Sequence, residues 1–460
     1  MNKILFYHLS NGTNNYLGDR TKIKVRFMEI KSLLYSTLFI FLLIFFICPT
    51  AWAVDYYVDK NNKSASDSNP GTAAMPWKTI QRGANTATAG DTVYVRSGVY
   101  YEWVNLKKSG TAGKPITFKA YPGDKPIIDG TGVNQPYWNS LLRSEGNSYI
   151  TIDGFEVRNT KECLIGVANG EHFIIRNCIV HGNSGPTNQP LTGRDGIIIG
   201  RCNYGLIENC ESYNTGGNAF NIESSNYITI QNNYAHDNPA HAGFNIFPVT
   251  SENPQRLYYG IVIKNNIAAR CLTGIYMRYQ VNAEISNNLI YASRRGGIYL
   301  TDSRDDHPSL SYNYSSNTKI LNNTLVDNGN VSYTYGGIAD FSATDLTIKN
   351  NIIIVNNGND TIHIGAGVTS GIDISNNLYD TSARFHWGNK YCNSLASWIA
   401  VSKDSASLIG DWQFVNKSAG DYTIKISSTN TIGKGANLTT VGISVDGDLV
   451  APAKLRIVQK

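Results

Sequence analysis

Apolar and polar residues alternate along most of the chain, and the alternation stops every few residues at glycine or asparagine. In ITIQNN at 228–233 and GIYLTD at 297–302, every second side chain lies on the same face, which is the period of a β-strand. One such segment cannot bury its apolar face by itself. The pattern therefore predicts many short strands that stack on one another around a common core.

One phrase, a short alternating strand that ends in Asn-Asn or Asn-Cys, recurs through the middle of the chain. Its first Asn occupies positions 177, 209, 232, 265, 287, 322, 350 and 376, so neighbouring copies are 22 to 35 residues apart. The shortest spacing fits one coil of a parallel β-helix, and the longer spacings predict loops. Stacked coils would let each Asn side chain hydrogen-bond to its copies above and below.

A second strand, usually opened by Gly, follows each copy, as in GIIIGR at 196–201 and GIYMRY at 274–279. Its second and fourth positions are apolar and are expected to face the core, whereas its third and fifth positions face outward. PWKTIQRGANTA at 76–87 has helical spacing and is expected to cover the first coil, because an uncovered coil would expose a sheet edge. The segment from 413 onward loses the Asn repeat and is expected to close the other end.

The fold class is therefore all-β, a single-stranded parallel β-helix with an N-terminal capping helix and a C-terminal cap. We expect the N-terminal cap and first coils at 54–148, the repeats at 149–380 and the C-terminal capping segment at 381–460. Only 16% of the residues are charged and Pro occurs 14 times in 460 residues, a composition that favours neither disorder nor a coiled coil.

The amino-terminal segment, residues 1–53, has the order of a secretory signal. Lys31 precedes an apolar run at 33–47, and Ala51-Trp52-Ala53 offers a small-residue cleavage site. Met28 stands just before this signal, so residues 1–27 are interpreted as an upstream extension. We expect a secreted chain, extracellular or periplasmic, that begins at residue 54. An uncleaved membrane anchor is the alternative, although the apolar run is short for a membrane span.

Charge and cysteine content limit the partners. The chain has 40 Lys and Arg against 35 Asp and Glu, and residues 1–53 hold six of the former and two of the latter, so the mature chain has a net charge of +1. This near-neutral charge gives no reason to expect nucleic-acid binding, and we expect a monomer without stable membrane insertion. Six cysteines remain without a CxxC pair, so no zinc site is expected. Cys178 and Cys210 occupy equivalent positions in neighbouring coils, either as a disulfide or as buried thiols.

The segment DYYVDKNNKSASDSNPGTAAMPWKTIQRGANTATAGDTVYVRSGVYYEWVNLKKSGTAGKPITFKAYPGDKPIIDG at 55–130 resembles the opening of secreted β-helix proteins of the pectin- and pectate-lyase-like superfamily. With the coils, the resemblance extends over about 55–380. It implies a right-handed parallel β-helix that acts on a polysaccharide. The same opening precedes β-helix glycoside hydrolases, notably some β-xylosidases, so it indicates the architecture better than the reaction.

One departure from this superfamily concerns calcium. Calcium-dependent pectate lyases with a lysine base show an Asp-Asp-Gly-Phe-Asp type cluster on the exposed strand, whereas the matching stretch at 216–221 reads Gly-Gly-Asn-Ala-Phe-Asn. Calcium requires several oxygen ligands and carboxylate charge. We therefore predict no metal ligand among the site residues of the chain and no cofactor, although calcium binding by loop residues stays possible.

The outward positions of the Gly-led strands are expected to stack into columns. The third positions are Asn221, Asn245, Tyr276 and Tyr299, and the fifth positions are Glu223, Phe247, Arg278 and Thr301. Charged residues stand just before these strands, among them Asp195, His241 and Arg295. A strip of aromatic, amide and guanidinium groups is typical of a sugar-binding cleft.

Three functions are compatible with this strip. A lyase that cleaves a uronate polymer by β-elimination is favoured, with His241 and Tyr276 as base and acid. Arg278, together with Asn221 or Asn245, is expected to neutralise the substrate carboxylate. The residues expected to bind substrate are Asn221, Glu223, Asn245, Tyr299, Arg295 and Asp195.

A glycoside hydrolase is the second possibility, with Glu223 and either Asp195 or Asp302 as its two carboxyl groups. The third is a non-catalytic carbohydrate-binding or surface protein. In that protein His241 would only bond within a turn, Arg278 would form a surface ion pair with Glu223, and the tyrosines would simply stack.

Overall fold

The computed structural model describes residues 53–137, 139–183, 194–248, 257–301, 315–330, 335–355, 358–366, 368, 370–410, 414–416 and 421–424. Almost all of the expected targeting segment lies outside these residues. Asp302 and the chain beyond residue 424 also lie outside them.

The described chain winds into coils, and each coil adds a strand to each of three parallel sheets. Sheet 1 consists of Asp55–Val58, Thr92–Val95, Ile116–Ala120, Ile150–Asp153, Glu171–Arg176, Asn203–Glu208, Asn226–Gln231, Val262–Lys264, Glu284–Ser286, Ser315–Leu321, Ala343–Lys349 and Asp373–Ser375, with Tyr258–Tyr259 and Gln280–Val281 beside them. Sheet 2 consists of Gly98–Tyr100, Pro126–Asp129, Glu156–Arg158, Ile179–His181, Glu211–Tyr213, Tyr234–His236, Ile267–Ala269, Leu289–Tyr291, Thr324–Asn328, Ile352–Val355, Leu378–Tyr379 and Leu408–Ile409.

Sheet 3 contains the Gly-led strands of the repeat. It consists of Val104–Leu106, Ser140–Glu145, Cys163–Ala168, Ile197–Gly200, Phe220–Glu223, Phe244–Phe247, Thr273–Arg278, Gly296–Thr301, Tyr335–Asp340, Asp360–Ile364 and Phe385–Trp387, with Lys390–Cys392 antiparallel to the last. A separate antiparallel pair joins Phe414–Asn416 to Asp421–Ile424. The predicted right-handed parallel β-helix is confirmed.

The strand register follows the predicted columns. Phe220 and Ile222 pair with Phe244 and Ile246 of the next coil, and all four side chains are buried in the core. Between them, the outward column runs from Asn221 through Asn245, Tyr276 and Tyr299 on successive strands. The alternation of the sequence is therefore reproduced in register over these coils.

The two residues of the repeated pair, Asn-Asn in six copies and Asn-Cys in two, have different structural roles. The first adopts the left-handed conformation, with φ between 53° and 58° at Asn177, Asn209, Asn232, Asn265, Asn287, Asn322, Asn350 and Asn376. Asparagine tolerates this conformation better than most residues. The second Asn is buried and forms a ladder, in which the Asn266 backbone N–H donates to Asn288 Oδ1 at 2.9 Å and the Asn288 N–H donates to Asn323 Oδ1 at 2.9 Å. The ladder satisfies the backbone N–H groups at the bends from Cys210 to Asn351.

Helices cover both ends of the described coils. Helix α1, Ile80–Thr86, begins at Thr79, whose side chain accepts a hydrogen bond from the Arg82 backbone N–H, and it buries Ile80 and Ala84. Its position confirms the predicted N-terminal capping helix. Helix α2, Leu395–Ser402, begins at Ser394 and was not predicted from the sequence.

The aromatic side chain of Trp398 anchors helix α2. Its ring is fully buried and stacks on Phe385 with the ring centroids 4.8 Å apart. The Trp398 Nε1–H donates to Asp404 Oδ2 at 3.0 Å, and the Tyr379 hydroxyl donates to the same oxygen at 2.8 Å. Helix α2 lies within the C-terminal capping segment expected at 381–460.

The two cysteines at equivalent repeat positions do not form a disulfide. Cys178 and Cys210 are buried, free thiols, and the Cys178 Sγ donates to the Arg176 carbonyl oxygen at 3.2 Å. Burial raises the pKa of the Cys210 thiol well above its ordinary value.

Among the described residues, no helix combines the length and the apolar character needed to cross a membrane.

Candidate functional site

The outer face of sheet 3 carries the predicted site residues in two adjoining groups. The first group is Asp195, Asn221, Glu223, His241 and Asn245, and Asn218, which was not predicted, lies beside Asp195. The second group is Tyr276, Arg278, Arg295 and Tyr299. Asn245 of the first group and Tyr276 of the second lie opposite each other on neighbouring strands.

Asp195 is held by amide groups at the start of the next coil. Its Oδ1 accepts hydrogen bonds from the Asn218 backbone N–H at 2.7 Å and from Asn218 Nδ2 at 3.1 Å. Its Oδ2 accepts from Asn221 Nδ2 at 2.6 Å. Burial raises the pKa of Asp195, although the hydrogen bonds from Asn221 and Asn218 oppose this shift.

Asn221 links two carboxyl groups. Its Nδ2 donates to Asp195 Oδ2 at 2.6 Å and to Glu223 Oε1 at 2.9 Å. Because both bonds start from the same nitrogen, Asp195 Oδ2 and Glu223 Oε1 can be no farther apart than the sum of these two distances. An amide has two N–H groups, so Asn221 has no donor left for a substrate carboxylate. Asn221 thus positions its neighbours and does not neutralise substrate.

His241 lies in the turn before the strand that carries Asn245. Its backbone N–H donates to the Asn238 carbonyl oxygen at 3.1 Å, and the neighbouring Ala242 N–H donates to Asn218 Oδ1 at 3.1 Å. Burial lowers the pKa of the imidazole, and the negative charge of Asp195 partly opposes this shift. A neutral imidazole near neutral pH is the form that accepts a proton.

Tyr276 and Arg278 form a hydrogen-bonded pair. The Tyr276 hydroxyl oxygen accepts from Arg278 Nε at 3.1 Å and from Arg278 Nη2 at 2.5 Å, and the guanidinium carbon lies 4.8 Å from the centroid of the Tyr276 ring. Both side chains are partly exposed. The guanidinium group therefore places a positive charge beside the phenolic oxygen.

Tyr299 continues the column but is covered. Its ring stacks on Tyr276 at 5.4 Å, the Arg295 guanidinium lies 4.5 Å above it, and only 3% of the residue is exposed. These contacts bring Tyr299 and Arg295 to the expected face. Because the Tyr299 ring is enclosed by these contacts, its role is to pack against the Tyr276 ring and hold it in place.

A cavity of about 220 Å³ lies on the same face, on the N-terminal side of Glu223. It is lined by Asn139, Ser140, Arg143, Ser144, Glu145, Cys163, Gly166, Val167, Ala168, Asn169, Ile198, Gly200, Arg201 and Glu223. Arg143 and Arg201 were not identified from the sequence. Arg143 belongs to the column of Asn221, since Arg143 pairs with Gly166, Gly166 with Ile198 and Ile198 with Asn221. Extending the predicted column toward the amino terminus would have found it.

The donor set around Asp195 does not fit calcium. A cation of this kind takes six to eight oxygen ligands, but the Asp195 oxygens accept N–H groups, one of them from the backbone. A Cβ atom on Gly217 would lie 2.6 Å from Asp195 Oδ1, so this position has no room for a carboxylate-bearing residue while Asp195 stays in place. We therefore derive no step through calcium.

The structure brings most of the expected residues together. Asp195, Asn221, Glu223 and Asn245 form one hydrogen-bonded line, because Asn245 Nδ2 donates to Asn221 Oδ1 at 2.9 Å. Tyr276 adjoins this line as the strand partner of Asn245, and Arg278 is hydrogen-bonded to Tyr276. His241 interacts with this line through the negative charge of Asp195. Glu223 and Arg278 both belong to the fifth-position column. They lie two strands apart, which is roughly 10 Å across the sheet.

Two protein-family models match the chain. A model described as a Pel9A-like, right-handed β-helix region matches residues 56–215. A model described as a right-handed β-helix region matches residues 140–379, slightly more than half of the chain. Together they span the first group of site residues and the second.

Two curated proteins resemble the chain over different lengths. The uncharacterized protein YwoF of Bacillus subtilis (strain 168) is 25% identical, and the match covers 80% of this chain and 91% of that protein. The pectate lyase PEL9 of Emericella nidulans is 42% identical over 84 residues, which cover 18% of this chain and 20% of that protein.

Solved structures show the same fold at low sequence identity. The complex of XylC with xylose has a TM-score of 0.54 at 15% identity and covers 78% of this chain and 87% of its own. The crystal structure of pectate lyase Pel9A has a TM-score of 0.53 at 14% identity and covers 83% of this chain and 91% of its own. A lyase and a xylose-binding protein thus have nearly equal structural similarity to this chain.

Proposed function

This chain belongs to the right-handed β-helix family, and we propose that it is a secreted polysaccharide lyase that cleaves a uronate-containing polymer by β-elimination. The observation that carries this proposal is the hydrogen-bonded pair of Tyr276 and Arg278, one strand from Asn245 on the outer face of sheet 3. It combines a hydroxyl group with a positive charge where an anionic sugar would lie.

Elimination requires a base, an acid and a group that neutralises the substrate carboxylate. His241 is assigned as the base that removes the proton from C5, since burial favours its neutral form. The electrons of the broken C–H bond form the C4–C5 double bond as the C4–O4 bond breaks. Tyr276 is assigned as the acid that gives its proton to the leaving oxygen.

Arg278 serves the acid and the substrate together. Two of its N–H groups bond to the Tyr276 hydroxyl oxygen, where they stabilise negative charge as the proton leaves. The guanidinium charge also stabilises the carboxylate of the uronate as its C5 proton becomes acidic. Asn245 supports this role, because in the described hydrogen bonds only one of its two N–H groups is engaged.

Arginines favour an acidic substrate along this whole face. Arg143 and Arg201 line the cavity on one side of Glu223, and Arg278 and Arg295 lie on the other side. Guanidinium groups bind planar carboxylates through paired N–H donors. Uronate polymers carry such carboxylates along their length, so we assign the substrate to this class.

A direct assay tests the proposal. Mature protein is incubated with pectate, alginate and glycosaminoglycans, with and without calcium, and the ultraviolet absorbance of the new conjugated double bond is followed. We expect the absorbance to rise on at least one polymer and to be independent of calcium. No rise on any acidic polymer would overturn the proposal.

Glycoside hydrolysis is the second candidate, and one observation favours it. Asn221 holds Asp195 and Glu223 with their oxygens close together, and retaining glycosidases place two carboxyl groups about 5–5.5 Å apart. Burial raises the pKa of Asp195, as expected of a general acid. New reducing ends without ultraviolet absorbance would select this candidate, and neither signal with retained polymer binding would select a carbohydrate-binding protein.

A further inference from the structure

A cluster of two histidines and one aspartate lies at the C-terminal end of sheet 3, beyond the groups assigned above. Asp360 and His363 lie on the strand Asp360–Ile364, and His386 lies on the following strand, Phe385–Trp387. His363 and His386 are direct partners in the register. His363 also continues the outward column, since Tyr299 pairs with Ala339 and Ala339 with His363.

The three side chains converge at short distances. Asp360 Oδ2 lies 2.8 Å from His363 Nδ1. His386 Nδ1 lies 2.8 Å from His363 Nδ1 and 3.0 Å from His363 Nε2. One ligand atom from each of the three residues lies within 4.8 Å of the others.

Hydrogen bonds within the cluster leave one carboxylate oxygen unsatisfied. His363 Nδ1–H can donate to Asp360 Oδ2 and His386 Nδ1–H can donate to His363 Nε2, but neither bond reaches Asp360 Oδ1. Asp360 is 1% exposed, and its Oδ1 has no hydrogen bond among the described residues, with the nearest cation, Arg384, at 3.8 Å. A buried carboxylate oxygen without a partner is costly.

We propose that Asp360, His363 and His386 bind one divalent transition-metal ion, with zinc as the best match. Imidazole nitrogen and carboxylate oxygen are zinc ligands, and ligand atoms about 2.1 Å from a tetrahedral ion lie roughly 3.4 Å from one another. The 2.8 Å separations of Asp360 Oδ2 and His386 Nδ1 from His363 Nδ1 are shorter than this value, so small side-chain movements would admit the ion. A hard cation such as calcium is disfavoured, because two of the three ligands are nitrogen.

The surroundings are those of a built site. Aromatic rings enclose His363, with Tyr335 at 4.8 Å and Phe341 at 4.9 Å, and the Tyr391 ring stacks on His386 at 4.3 Å. Asp360 and His363 are buried whereas His386 is partly exposed, so the site opens toward solvent at His386. Three protein ligands leave a tetrahedral ion one further position for water or a ligand oxygen.

The ion would join consecutive coils near the C-terminal cap. Asp360 and His363 belong to one coil, and His386 belongs to the next. Phe385, the residue before His386, stacks on Trp398 of helix α2. A metal ion that binds only the folded chain stabilises it. This inference does not depend on the proposed elimination, because the cluster lies beyond the residues assigned to that reaction.

The test uses mature protein without a histidine tag, treated with a chelator and then titrated with zinc chloride. We expect one zinc ion per chain by elemental analysis, and a Tm that rises with zinc. His386→Asn and Asp360→Asn should each lose stoichiometric zinc and the rise in Tm. His172→Asn is the matched control, since His172 is exposed and lies on sheet 1.

Cobalt gives a second readout that does not depend on stability. Its visible absorption should show tetrahedral coordination in the parent chain and in His172→Asn, but not in His386→Asn. Less than half an equivalent of zinc in the parent chain would overturn the proposal, as would unchanged zinc binding in a folded His386→Asn. Metal uptake is measured without any polysaccharide, so either result leaves the lyase proposal to its own assay.

Discussion

The side-chain amide of Asn245 donates a 2.9 Å hydrogen bond to the side-chain oxygen Oδ1 of Asn221 in the preceding coil. This bond fixes which end of the Asn221 amide faces which neighbour. The Asn221 nitrogen is thereby directed at Asp195 and Glu223. An amide in this position can separate two carboxyl groups that would otherwise repel each other across a poorly solvated space.

Asn221→Asp should destabilise the fold. The new carboxylate would remove both donors and stand between Asp195 and Glu223, and an uncompensated buried charge costs about 3–5 kcal/mol. Urea unfolding should show a lower midpoint at neutral pH, with partial recovery in acid as the carboxyls protonate. Asn85→Asp on the exposed face of helix α1 is the control and should change the midpoint little. Equal stability of the two variants would contradict the role given to Asn221.

Tyr276→Phe should remove most of the elimination activity while substrate still binds. The variant keeps the ring that packs on Tyr299 and loses only the hydroxyl held by Arg278. Loss of a general acid costs roughly 100- to 10,000-fold in rate. The fall should appear in kcat rather than KM. Tyr204→Phe, at an exposed position on sheet 1, should retain the parent kcat, and a similar fall in both variants would exclude a specific role for Tyr276.

The pH dependence of the elimination activity should follow the protonation of His241. Burial lowers its folded pKa below the ordinary value of 6.5, and only neutral imidazole can act as the base. The activity should therefore be full above pH 6.5 and fall as the pH drops through the lowered pKa. The same residue should add folding stability above 6.5 that is lost as the pH falls, because protonation then favours the unfolded chain. His241→Gln should remove the acid limb of kcat/KM together with most activity, whereas His172→Gln should keep it.

Glu223→Gln separates the two candidate reactions. If the enzyme is a lyase, Glu223 lies beside the reacting groups, and the variant should keep elimination within about tenfold, an effect of about 1.4 kcal/mol on the barrier. If it is a hydrolase, the same variant should lose nearly all release of reducing ends. Glu171→Gln, exposed on sheet 1, is the matched control for both assays.

Much of the fold could be predicted because its determinants are local. Alternation with period two assigned the inward and outward sides of the Gly-led strands, and the register confirms it from Phe220 to Leu300. The repeated Asn marked the bends, where a left-handed backbone is required. The sequence did not distinguish the two Asn of each pair, since only the stacked coils show that the second one forms the buried ladder.

The site could be predicted only as a column. Strand spacing aligned Asn221, Asn245 and Tyr276, but the bond from Asn221 to Asp195 depends on how the turn before the strand folds. Helix α2 was missed because its burial depends on Trp398 meeting Phe385 from another part of the chain.

The sequence by itself determined the repeating strands, their inward and outward faces and the polar strip, because these follow from backbone geometry over a few residues. The tertiary structure alone decided which side chains of different coils meet. His363 and His386 are 23 residues apart, close to the shortest repeat spacing, yet a spacing places two residues in register only if the intervening chain completes one coil. Loop length varies from coil to coil, so contacts between coils are fixed by the stacking of the whole helix.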